Sequence, residues 1–67
     1  MKKLADFYFE RKVKVHISLD SGIFFNGMII KVGSDFIILN DIKLGETMII
    51  ASNIKDEGII PFTEEKK

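Results

Sequence analysis

The side chains able to do chemistry are few and scattered along the chain. His16 is the single histidine, and with no cysteine and no second histidine there is nothing to complete a metal site. It falls on the polar side of an alternating stretch, which predicts a solvated strand position. Asp35 and Asp41 flank one apolar run. General acid/base catalysis needs two carboxylates converging on a cleft, so a pair at opposite ends of one strand predicts turn capping instead. The sequence has no Ser-His-Asp ordering and no phosphate-binding glycine loop. These residues predict neither an enzyme nor a cofactor or metal site.

Aromatic and basic residues offer a different chemistry. Phe24, Phe25 and Phe36 are potential platforms for nucleic-acid bases, each stacking contact contributing about 1 to 3 kcal/mol. Phe24 and Phe25 are neighbours on one strand, so one of them belongs to the core, and Phe36 beside a turn is the better platform. Lys12, Lys14 and Lys31 suggest a basic strip, with Lys14 as the phosphate contact. Ser52 and Asn53 at a corner offer hydrogen bonds to a strand of RNA or to their own turn. Ten basic residues against ten acidic ones give zero net charge, so no global field gathers nucleic acid and any RNA contact must be local.

The elements that position these residues follow from hydrophobic spacing. Leu4, Phe7, Tyr8 and Arg11 recur at helical intervals and predict a short helix with its apolar members on one face. From Arg11 to Leu19 the period is two, with Val13, Val15, Ile17 and Leu19 on one side, which is the pattern of a half-buried strand. Asp20-Ser21-Gly22 supplies a turn, and Ile23 to Val32 forms a second strand that Gly27 bends. A third strand is expected from Asp35 to Ile42 and a hairpin loop over 43–46. A fourth runs from Thr47 to Ala51 and ends in a corner at Ser52 to Ile54. The charged run 55–58 then leads to a short last strand, Ile59 to Phe62.

Sixty-seven residues support one domain, here 1–62, followed by a disordered tail at 63–67. A chain this small buries only about 60% of its unfolded surface and needs a staple or a partner. Disulfides are excluded, and hydrophobic residues at 46% with a mean hydropathy of +0.15 exceed what a small exposed domain needs. Four isoleucine doublets, 29–30, 37–38, 49–50 and 59–60, make both faces of successive strands apolar. The outer members are either exposed, half covered by the helix on buckled strands, or covered by another copy. Ile49, Ile50, Ile59 and Ile60 are the expected oligomer interface. The apolar runs are far too short for a membrane span and no secretory stretch follows Met1-Lys2-Lys3, so a cytoplasmic location is expected.

The segments Val15 to Gly22, Phe25-Asn26-Gly27 and Asp35 to Asp41 resemble the first conserved block of the Sm-like (LSm/Hfq) superfamily, and Met48 to Ile54 resembles its second. Gly22 and Gly27 are the structural glycines of that pattern. The resemblance implies an all-β fold, a short N-terminal helix on a five-stranded, strongly bent antiparallel SH3-like or Sm-like barrel. It further implies a homo-oligomeric ring, a hexamer or heptamer closed by fourth-to-fifth strand pairing, that binds single-stranded RNA. The family's base pocket departs here: Leu39 stands in place of its asparagine and Ile50-Ala51 in place of its arginine-glycine pair. A weak, poorly base-specific contact at Phe36, Ser52, Asn53 and Lys14 is therefore expected, the alternative being an interaction ring without RNA. A monomeric SH3-like accessory domain is a third possibility.

Overall fold

The computed structural model describes residues 2–62, so the expected tail at 63–67 lies outside the described residues. One helix, α1 (Lys2–Arg11), precedes five strands: β1 (Lys14–Leu19), β2 (Phe24–Val32), β3 (Phe36–Asp41), β4 (Gly45–Ile50) and β5 (Ile54–Pro61), with a single 3-10 turn at Ala51–Asn53. All pairings are antiparallel, in the order β4-β3-β2-β1-β5. The expected all-β sheet and leading helix are present. The sheet is not closed, because β4 and β5 are its two edges. Buried residues of both edge strands, Ile49 and Ile59, nevertheless share one cluster with Val15, Ile17, Ile29, Ile37 and Leu39, so the sheet curves around a common core.

The helix is rotated from the face its spacing predicts. Ala5 is fully buried and Tyr8 packs against the core, whereas Leu4 and Phe7 are exposed. A small side chain at Ala5 lets the helix approach the sheet closely, and Phe7 instead lies under the Arg11 guanidinium, 4.1 Å from the ring centroid. The helix ends at Lys12, which adopts φ 55. Its N–H donates to the Phe9 carbonyl, and the Val13 N–H donates to that of Tyr8. These are the two bonds of a Schellman motif, formed here on a residue other than glycine. Arg11 and Lys12 thus belong to the helix end and not to the first strand.

The last strand is longer than its pattern suggests. Ile17 pairs with Ile59 and Leu19 with Ile54, so two steps of β1 face five of β5 across a bulge. Glu57 takes φ 55 within it. The charged residues 55–57 have no strand alternation and read as a loop; only the burial of Ile54 and Ile59 makes the segment one element. Within each isoleucine doublet the first member points inward: Ile29, Ile37, Ile49 and Ile59 are buried, while Ile30, Ile50 and Ile60 are exposed. This corrects the expected interface. Ile49 and Ile59 belong to the chain's own core, and only Ile50 and Ile60 present side chains outward.

Gly27 pairs with Val15 on one side and Asp41 on the other. A Cβ there would lie 2.0 Å from the Asn40 carbonyl oxygen and 2.8 Å from its carbon. Gly22 differs, since it has open space around it but a φ of 97 that its turn requires. Gly27→Ala is expected to cost at least about 1 to 3 kcal/mol, because backbone must move to admit a methyl group. In urea titrations its midpoint should fall further than that of Gly22→Ala, with little change in slope.

Candidate nucleic-acid interface

Phe36 opens β3 directly after the turn that follows β2. The Gly33 N–H donates to the Phe36 carbonyl at 2.8 Å, closing that turn. The ring lies over Gly33, where a Cβ would come within 2.3 Å of it, so part of the ring is packed on backbone and Phe36 is half-buried. It lines a shallow, mostly apolar hollow of about 150 Å³ with Ala5 of the helix, Val32, Ser34, Ile37 and Ala51. Lys31 Nζ stands 5.9 Å from the ring centroid, at the outer limit of a cation–π contact.

The corner after β4 is tied to the same turn, since the Ala51 N–H donates to the Asp35 carbonyl at 2.9 Å. Phe36 and Ala51 therefore meet. Ser52 and Asn53 are exposed, but Asn53 belongs to a second hollow with Leu19, Asp20 and Ser21. Its carbonyl accepts the Asp20 N–H at 2.9 Å. The corner thus bridges two hollows instead of converging on Phe36.

Lys14 is not brought to Phe36. It opens β1, where it pairs with Met28 of β2, and its ammonium lies 5.6 Å from the Phe62 ring centroid. Lys31, and not Lys14, stands beside that ring. The signal for it was available: in a hairpin whose turn spans 33–35, residues just before the turn face those just after it, and Lys31 is the only cation among them. Leu39, where the Sm-like pattern has asparagine, is fully buried and offers no hydrogen bond to a base.

His16 is half-buried and not simply solvated. Its Nδ1 is hydrogen-bonded to Oδ1 of Asn26, its cross-strand partner, and its ring lies 5.0 Å from that of Phe24. Asp35 is exposed, while Asp41 is buried and does cap a turn. One oxygen of Asp41 accepts the Asn26 N–H, and the other accepts those of Lys43 and Leu44, all at 2.9 Å. No group of three or more His, Cys, Asp or Glu able to hold a metal occurs among the described residues. No helix there is long and apolar enough to cross a membrane.

No protein-family model matches the chain, and no curated protein matches it.

The Asp41 carboxyl has a definite acid–base consequence. Burial opposes its ionisation, but the N–H groups of Lys43, Asn26 and Leu44, with the charge of Lys43, outweigh burial and hold its pKa below the ordinary 3.8. A folded pKa below the unfolded one contributes stability that is complete above the unfolded value and is lost as pH falls through the folded value. The urea midpoint is expected to hold from neutral pH to about 5 and to drop below it. Asp41→Asn should be less stable at neutral pH and show a shallower acid decline.

Proposed function

We propose that this chain is a Sm-like subunit of a homomeric cytoplasmic ring that binds single-stranded RNA weakly and with little base preference. The observation that carries the RNA reading is the half-exposed Phe36 ring beside Lys31 and the Ala51 corner. Such a site stacks a base and attracts phosphate, and it lacks the paired donors and acceptors that discriminate one base edge from another. Ring formation is supported by the two open edges. Met48 and Ile50 point outward from β4, and Ile60 points outward from β5. Pairing β4 of one copy with β5 of the next satisfies both backbone edges and covers these side chains. Repetition of a weak site around a ring raises avidity without new contacts.

A second reading, an interaction ring that binds no RNA, draws on Leu39. Its complete burial leaves nothing in the base-reading position. Fluorescence anisotropy with short U-rich, A-rich and mixed RNAs at two salt concentrations separates the readings. On the RNA reading all three bind within about tenfold of one another, since stacking accepts any base. Phe36→Ala should cost about 1 to 3 kcal/mol per stacked base, and Lys31→Ala should lower the salt slope more than Lys14→Ala does. Ile60→Lys should reduce the mass in light scattering to that of smaller species by placing a charge at the edge. A wild-type mass of 7.7 kDa would replace the ring with a monomeric accessory domain.

A further inference from the structure

The last strand holds more chain than its neighbour requires. Between the pairs Ile17–Ile59 and Leu19–Ile54, one residue of β1, Ser18, faces four residues of β5, 55–58. Ile54 and Ile59 are both buried, so the core fixes the strand on either side of the excess. A single residue between them would already keep both isoleucines on one face, as Ile17 and Leu19 are. Three residues are thus surplus to the sheet. They also carry strain and tight packing. Glu57 adopts φ 55, a left-handed conformation that a side chain resists. A Cβ on Gly58 would lie 2.7 Å from the carbonyl oxygens of both Lys55 and Ser18, so the segment folds back closely on itself.

The place of this excess in the sheet points to its task. β5 ends the strand order, so its side away from β1 presents backbone N–H and C=O groups to any extended chain that reaches it. A regular edge strand of eight residues would offer such a chain many registers. We propose that the 55–58 bulge guards this edge: it confines strand pairing on β5 to the segment after Gly58 and prevents copies from adding edge to edge along the whole strand. Geometry and charge act together. A bulge interrupts the extended backbone that a partner strand must match. Lys55, Asp56 and Glu57 are all exposed, and a strand laid along them would have to strip water from three charges. The other edge has no such bulge, since β4 pairs with β3 from Gly45 to Ile50 without a register shift and leaves Met48 and Ile50 exposed. The two edges are therefore unequal, β4 open along its length and β5 only past its bulge. The guard acts whatever the number of copies that assemble, and whether or not RNA binds.

The test compares the full chain with a variant lacking residues 55–57, by light scattering and thioflavin fluorescence, with circular dichroism and urea titration to follow the fold. The deletion leaves Gly58 alone opposite Ser18 and removes the left-handed residue, so a wild-type spectrum and a urea midpoint no lower than that of the wild type are expected. The wild-type mass should stay constant with time. That of the deletion variant should exceed it by about twofold or more at equal concentration and keep rising with the thioflavin signal. The triple variant Lys55→Thr/Asp56→Thr/Glu57→Gly keeps the chain length and the left-handed turn without the charges, and should fall between the two. A deletion variant that folds and keeps the wild-type mass overturns the inference. Growth in mass accompanied by a lowered urea midpoint overturns it too, since partial unfolding then explains the association. If the deletion variant does not fold, the triple variant decides: a mass that rises at an undiminished midpoint supports the guard, and any other result overturns it.

Discussion

The fold depends on an absent side chain in the middle of β2. The Asn40 carbonyl stands where a Cβ of Gly27 would be, so β2 and β3 approach at that point more closely than any other residue would allow. The same approach sets Gly27 opposite Asp41 and brings the Asp41 carboxylate to the Asn26 N–H. From there the carboxylate also collects the two N–H groups of the following turn. One steric vacancy thus leads to a buried carboxylate that accepts three backbone hydrogen bonds, and that carboxylate fixes the loop end. A buried charge is tolerated only with such partners, and here all of them are backbone groups of adjacent elements.

The two ends of the sheet expose different surfaces. At the helix end Ala5 lets α1 cover the core closely, and the turn after β2 holds Phe36 with Lys31 at its rim. At the other end the two turns surround an open hollow lined largely by apolar side chains. Between them run the unpaired edges of β4 and β5, a recognised hazard of open sheets. The bulge in β5, with Lys55, Asp56 and Glu57 exposed, breaks one edge and charges it, while the segment around Ile60 stays regular and apolar. An edge blunted over part of its length offers fewer registers for indiscriminate strand pairing.

Much of this was legible in the sequence because it is written in short-range pattern. The period-two runs located the strands, the glycine within β2 marked a bend, and the doublets showed that both sheet faces are apolar. Phe36 was legible as an aromatic beside a turn. Composition places Lys12, Lys14 and Lys31 in one strip, and only the hairpin geometry sets residue 31 beside residue 36.

What the sequence by itself determined is the order and type of the elements, since alternation and turn chemistry are local properties that each segment carries alone. Only the tertiary structure decided which isoleucine of each doublet faces the core, because neighbouring residues are equally apolar and the choice is made by register against Leu39, Ile49 and Ile17. Register also made one strand of Ile54–Pro61: its charged middle is tolerated as a bulge because Ile54 and Ile59 are both buried on either side of it. The helix face was settled likewise, by how closely Ala5 lets the helix approach a sheet whose position no helical periodicity encodes. In each case several arrangements had equal local energy, and contacts between residues distant in sequence selected one.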